Sequence, residues 1–210
     1  MSGAKLPRGS IAERVAELTG TSPLLCYQCG RCAAGCPQNL RGEMDLSPTR
    51  ILRLLQLEAA FHEGGPETNE YGLRALSSET PWLCAGCQAC TTRCPKGMDI
   101  AGAMDVLRQE ALERGLASAS ARARRVQALH RLFMQGLLRR GRLHELMLVG
   151  LYKLRTLDLF SDLMLGPLMF HKGKLHLLPP KGADTSRVRR AIAALKRRRE
   201  VEPAGKERGA

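Results

Sequence analysis

Apolar side chains recur at steps of three and four along most of the chain. Ile51, Leu52, Leu54, Leu55 and Leu57 form the clearest stripe, which the 3.6-residue period turns into one helix face. Ser47-Pro48 supplies its start, a capping serine with proline where a helix has no use for the N–H, and Gly64-Gly65-Pro66 supplies its stop. Upstream, Ser10-Ile11-Ala12-Glu13 reads as a capping box in which Ser10 covers an early amide and Glu13 reaches back. That helix is short and stops near Gly20. A further short helix is expected around Glu70–Leu76, Pro81-Trp82-Leu83 leads into Cys84, and Asp99 caps a helix running to about Arg114.

From Ala119 onward no strand pattern is visible. Val126, Leu129, Leu132, Phe133 and Leu137 keep helical spacing, as do Leu143, Leu146, Met147 and Leu151, with Gly136 and Gly141 bracketing a break. Pro179-Pro180 marks an extended linker, Ser186–Arg199 a last basic helix, and the final ten residues a disordered tail. The fold class expected is all-α: a ferredoxin-like domain over 1–118, a helical docking extension over 119–180, and a basic helix with its tail over 181–210.

Charge separates these parts. The chain has 210 residues and a net charge of +13. Residues 1–107 carry 10 Lys and Arg against 11 Asp and Glu, whereas 108–155 carry 11 against 3 and 181–210 carry 10 against 4. Such a field bears on association rather than on fold. A nucleic-acid-binding module using Arg122, Arg124, Arg125 and the 196–199 run has against it an aromatic content of 4%, too low for base stacking. The N-terminus has no apolar stretch long enough for a signal peptide. The greasiest segment, Leu143 to Phe170, is broken by Glu145, Lys153, Arg155, Asp158 and Asp162, so no direct membrane insertion is expected. A cytoplasmic location follows as an expectation.

The chemistry lies in the eight cysteines. Cys26, Cys29, Cys32 and Cys36 precede Pro37, and Cys84, Cys87, Cys90 and Cys94 precede Pro95, each 58 positions after its counterpart. This is the ligand spacing of cubane iron–sulfur clusters in two-cluster ferredoxins, where the fourth cysteine of each run serves the other cluster. By that rule one [4Fe–4S] cluster takes Cys26, Cys29, Cys32 and Cys94, and a second takes Cys84, Cys87, Cys90 and Cys36. Small residues such as Gly30, Ala33, Ala34, Gly35, Ala85, Gly86 and Ala89 let backbone amides approach cluster sulfur. Zinc would accept four thiolates too, but two C-x2-C pairs per site would satisfy it. There is no dinucleotide fingerprint and no phosphate loop. The five histidines, His62, His130, His144, His171 and His176, are scattered, so no catalytic residue is assigned.

The pattern around these cysteines resembles the C subunit of heterodisulfide reductase and its bacterial relatives. The resemblance rests on Cys26-Tyr27-Gln28-Cys29-Gly30-Arg31-Cys32, Met44-Asp45-Leu46-Ser47-Pro48, Ile51-Leu52-Arg53, Trp82-Leu83-Cys84, Val106-Leu107-Arg108, Gly141-Arg142-Leu143-His144-Glu145 and Lys172-Gly173-Lys174. It implies a non-catalytic, α-helical electron-transfer subunit of an oxidoreductase complex. A flavin-containing subunit would supply electrons, and a catalytic subunit with CCG motifs would reduce a disulfide. In methanogens that disulfide joins coenzymes M and B, while bacterial relatives serve other reactions. The Arg- and Ala-rich composition and long basic tail depart from archaeal members and leave both kinds of substrate open. The alternative is the iron–sulfur subunit of a membrane quinone oxidoreductase of the glycerol-3-phosphate or succinate dehydrogenase type. The succinate type adds a plant-type [2Fe–2S] domain and the glycerol-3-phosphate type CCG domains, and this chain has cysteines for neither.

Overall fold

A computed structural model describes residues 6–62, 69–116, 120–157, 168–169, 171–172 and 185–201. No strand occurs among them. The chain forms two compact units that divide between Arg124 and Arg125.

In the first unit, α1 (Ile11–Thr19) is followed by a 3-10 turn (Pro23–Leu25), α2 (Arg31–Ala34), α3 (Pro37–Leu40), α4 (Pro48–Ala60), α5 (Glu70–Ser77), α6 (Thr80–Leu83), α7 (Ala89–Thr92) and α8 (Ile100–Glu113). Helix α4 packs on α1 and α5, α8 packs on α1, α5 and α6, and the short α2 and α7 meet each other. The core they enclose is built from Ile11, Val15, Ile51, Leu52, Leu55, Leu76, Ile100, Met104 and Leu107, all essentially inaccessible. Removing that much aliphatic surface from water is the main force holding the cysteine loops in place.

The helix starts obey local hydrogen-bond chemistry. The Ser10 hydroxyl accepts from the Glu13 amide at 2.9 Å, and the Asp99 carboxylate accepts from the Gly102 amide at 2.9 Å. Ser47 caps α4 at the Arg50 amide. The capping box is displaced by one residue: the Glu13 carboxylate accepts from Gly9 N–H at 2.6 Å rather than from Ser10. Ser10's own amide instead donates to the Pro7 carbonyl. Helix α4 ends at Ala60, and the Gly64-Gly65-Pro66 stop lies outside the described residues.

A charged residue, Glu58, sits wholly inside this core. From α4 its carboxylate accepts the Ile11 and Ala12 amides at 3.1 and 3.2 Å and contacts His62 Nδ1 at 3.2 Å. It thereby supplies the N-terminus of α1 with the negative charge its dipole and free N–H groups favour. Asn69 ties the same region together, donating to the Glu58 and Phe61 carbonyls while capping α5.

The second unit includes most of α9 (Ala121–Arg140), α10 (Glu145–Thr156) and α11 (Thr185–Val201). Helix α9 runs through Gly136 to Arg140, so the break expected between Gly136 and Gly141 falls at Gly141, φ 69°. His144 caps α10 by accepting from the Met147 amide at 3.2 Å. No residue of α10 is buried, and Leu129, Phe133, Met134, Val149, Leu151 and Leu154 are exposed. The Pro179-Pro180 linker, the 180/181 boundary, Leu163, Met164, Leu165 and the tail after Val201 lie outside the described residues. No helix among the described residues is long and apolar enough to cross a membrane.

Candidate metal centre

Each cysteine run folds as a loop followed by one helical turn, and the two loops share an unusual backbone. The residues on either side of the second cysteine adopt the left-handed region: Gln28 and Gly30 at φ 59° and 76°, Gly86 and Gln88 at 64° and 60°. The repeat aligns Gln28 with Gly86 and Gly30 with Gln88, so each loop carries one glycine and one strained glutamine, in opposite order. A non-glycine residue there costs about 1 kcal/mol, and such strain persists where the surroundings over-determine it.

The loops line two cavities. The first, with about 340 Å³ of empty space partly open to solvent, is lined by Cys26, Cys29, Cys32 and Cys94, together with Tyr27, Arg31, Lys96 and others. The second, about 430 Å³, is lined by Cys84, Cys87, Cys90 and Cys36, together with Gln38, Met44, Ala89 and Met104. Each cavity thus receives three thiols from one run and the fourth from the other. Ile100 contributes to both walls. In each set the second cysteine is exposed and the third buried. The two runs meet where α2 faces α7: a Cβ on Gly35 would overlap the guanidinium of Arg93, its counterpart in the repeat.

Electrostatics follow the same grouping. Burial pushes the Cys26 thiol up, the Gln28 amide opposes this, and the like charges of Cys32, Cys94 and Cys29 push it further up. Burial also raises Cys84; the Gly86 amide and Arg108 pull it down, while Asp105 and Cys36 push it up. Burial raises Cys90, opposed first by the Thr91 hydroxyl. Thiolates gathered in one partly apolar pocket repel one another, and a bound metal group supplies the positive charge that offsets this.

The donor set fits a cubane. Thiolates are the ligands iron–sulfur clusters take, and Ala33, Gly30, Ala85 and Gly86 keep side-chain bulk out of the loops. Backbone N–H of Gln28 lies 3.5 Å from Cys26 Sγ, its Nε2 lies 3.4 Å away, and Thr49 Oγ1 lies 3.2 Å from Cys32 Sγ. Among the described residues no three His, Cys, Asp or Glu converge on a single-ion site, whereas a cubane meets its four thiolates at four separate irons. His62 joins the Glu58 clamp and His144 caps a helix; His176 lies outside the described residues.

Two arrangements around the loops were not foreseen from the sequence. Gln56 on α4 donates to the Pro23 and Cys26 carbonyls and accepts from Gln28, pinning the first loop. Arg108 on α8 donates to the Pro81 and Cys84 carbonyls and pairs with Asp105 at 2.8 Å, doing the same for the second. Each residue reads as a surface polar position on an amphipathic helix, and only tertiary packing turns it inward.

Residues 25–98 match a family model described as a 4Fe-4S dicluster domain. The chain is 29% identical over 102 residues to the C subunit of the ferredoxin:CoB-CoM heterodisulfide reductase of Methanosarcina mazei, covering 49% of this chain and 54% of that protein. It is 27% identical over 106 residues to the C subunit of the H(2):CoB-CoM heterodisulfide,ferredoxin reductase of Methanothermobacter marburgensis, covering 50% and 49%. To the iron-sulfur C subunit of the CoB–CoM heterodisulfide reductase of Methanopyrus kandleri it is 32% identical over 90 residues, 43% and 40% of the two chains. The chain therefore spans about half the length of the curated relatives it matches. The two four-thiol cavities draw all eight cysteines from the matched region, so residues 25–98 are similar to a 4Fe-4S dicluster domain and the chain resembles, across about half its length, the C-subunit family of heterodisulfide reductases.

Proposed function

We propose that this chain is an electron-transfer subunit of a heterodisulfide reductase-type complex, working through two [4Fe–4S] clusters between a flavin-containing subunit and a catalytic subunit with CCG motifs. The observation that carries the reading is the crossing of the runs: Cys94 lines the cavity of Cys26, Cys29 and Cys32, and Cys36 lines that of Cys84, Cys87 and Cys90. A cluster bound by each set supplies reversible one-electron chemistry. The protein holds the thiols, limits water with Leu52, Ile100 and Met104, and keeps the two sites adjacent across the shared Ile100 wall. The second unit, with exposed apolar helix faces and a basic α11, serves as the docking surface for the other subunits. Its contact with an acidic partner weakens with salt.

The test is an anaerobic preparation assayed for iron and acid-labile sulfide, with about eight of each expected per chain for two cubanes. Four iron, or stoichiometric zinc, overturns it. Ligation is tested separately by electron paramagnetic resonance: Cys36→Ser alters the signal that Cys87→Ser alters and spares the one that Cys29→Ser alters. If Cys36→Ser and Cys29→Ser perturb the same signal, ligation is local and the crossing is wrong.

A further inference from the structure

The two cavities are built from one repeat, yet their surroundings differ position by position. Where the first is lined by Lys96, the repeat places Gln38 in the second; where the first has Arg31, the second has Ala89; Tyr27 is answered by Ala85. Lys96 Nζ sits 4.4 Å from the centre of the Tyr27 ring, which holds the ammonium at the mouth of the first cavity. The first cavity also has the Gln28 side-chain amide on Cys26 Sγ at 3.4 Å, at a position occupied by glycine in the second loop. The remaining lining of the second cavity includes Met44, Met104, Pro37 and Pro48, and Gln88 where the first has Gly30; among the described residues, no contact of the Gln88 side chain with a sulfur matches that of Gln28.

Two cations approach the second set without lining its cavity: Arg93, whose guanidinium lies against Gly35 beside Cys36 and which also precedes Cys94 of the first set, and Arg108. Arg108 donates to the Cys84 carbonyl and pairs with Asp105 at 2.8 Å, whose smaller opposite effect on Cys84 offsets the arginine only in part. The Thr49 hydroxyl lies 3.2 Å from Cys32 Sγ at the first cavity, whereas the Thr91 hydroxyl, next to Cys90, bonds Asp99 at 3.4 Å. The difference lies in the linings: among the described residues two cations, Arg31 and Lys96, line the first cavity and none lines the second, and a side-chain amide reaches a sulfur of the first set.

Taking up an electron makes a cluster more negative. Nearby cations and hydrogen bonds to sulfur favour that reduced form and raise the potential, while an apolar, uncharged lining lowers it. Arg31 is exposed and its effect is screened by water; Lys96 is half-buried against Tyr27 and carries most of the difference. Resting on the two-cluster reading above, we infer that the sites are held at unequal potentials, the Lys96-lined site higher and the Gln38-lined site lower. An electron then enters the chain at the Cys84–Cys87–Cys90–Cys36 site and leaves from the Cys26–Cys29–Cys32–Cys94 site. Lys96 is the positioning charge that sets this direction, acting through the field and touching no substrate.

The test is a redox titration of the anaerobically purified full chain, followed by electron paramagnetic resonance. Cys29→Ser and Cys87→Ser assign the two signals. The higher step is expected to belong to the signal lost in Cys29→Ser. Lys96→Gln should lower that step by about tenfold in the reduced-to-oxidised ratio at fixed potential, 59 mV for one electron, and leave the other step nearly in place. Lys96→Arg should restore it. Gln38→Lys should raise the lower step, and the double exchange Lys96→Gln/Gln38→Lys should close or invert the gap. Reversed order, coincident steps, or a Lys96→Gln shift shared equally by both signals overturns the inference while leaving two clusters intact. A preparation with four iron per chain overturns the two-cluster reading beneath it, and the two failures are told apart by metal content alone.

Discussion

The two units of this chain spend their apolar residues in opposite ways. In the first, Ile51, Leu52, Leu55 and Leu107 are completely buried and even a carboxylate, Glu58, is enclosed with its partners. In the second, α10 buries nothing, and Leu154 is 64% exposed. The first unit is a finished core built to hold eight thiols. The second has apolar surface to spare, of the kind that marks contact surfaces. On the function proposed above, the difference separates a part that would carry electrons from a part that would dock partners.

The sharpest way to break this comparison is to cut the chain between the units. Arg124 is a better end point than the expected boundary at 118, because Ser120 bonds Glu79 at 2.6 Å and Arg122 bonds Glu43 at 3.0 Å. The truncated protein should retain about eight iron and its visible spectrum but fail to co-purify with partner subunits. Loss of iron on truncation would show that the helices after Arg124 complete the cluster fold; unchanged assembly would remove their docking role.

Within the first unit the largest single-residue effect should come from Glu58→Leu. It strands the Ile11 and Ala12 amides in a dry core and leaves His62 unpaired at that side. The expected loss is about 3 kcal/mol, read as a lower midpoint in denaturant for the cluster-bearing unit and no change in the helicity of the second. A neutral result would mean that water reaches this carboxylate.

Gly72→Ala sharpens the same point at smaller cost. The added Cβ would stand 2.9 Å from Ile11 Cδ1 and 3.1 Å from Glu58 Cγ, where α5 crosses both helices. Overpacking of this kind costs about 1–3 kcal/mol, against the roughly 0.5–1 kcal/mol a helix gains when alanine replaces glycine at an open position. The same substitution at Gly150, which meets nothing within 4 Å, should stabilise α10 by about 0.5–1 kcal/mol.

How much of this was legible in the sequence depends on the range of the interaction. Ser10, Ser47 and Asp99 were readable because a cap is settled within three residues. The cysteine repeat was readable because its spacing alone limits which metal group it suits. Glu58 was not, since a lone carboxylate on an amphipathic helix reads as solvent-facing until α1 brings its free amides to it. Gln28 and Gln88 in left-handed backbone were hidden as well, because no local signal demands that conformation. Between Gly136 and Gly141 the sequence marked a break without its position: α9 continues through Gly136 and the chain turns at Gly141, whose φ of 69° suits glycine.

The smallest effect expected is one of pH, at the segment that links the two loops. Asp45 accepts from the Ser78 and Thr80 hydroxyls, each at 2.8 Å, and from the amides of Leu46, Glu79 and Thr80. Burial pulls its carboxyl up, but the hydrogen bonds from Thr80, Ser78, Glu79 and Leu46 outweigh this and leave it below the usual carboxylate value. A group whose folded pKa is depressed binds its proton more readily in the unfolded chain. Its contribution is therefore complete above about pH 4 and fades as pH falls through the folded value. Because Asp45 faces water on one side, screening limits that contribution to about 0.5 kcal/mol. Asp45→Asn should flatten the acid limb of the stability curve of the first unit by that amount, measured in the chain cut after Arg124 where the second unit does not obscure it. An unchanged acid limb would mean that Ser78 and Thr80 hold this turn as well around an amide as around a carboxylate.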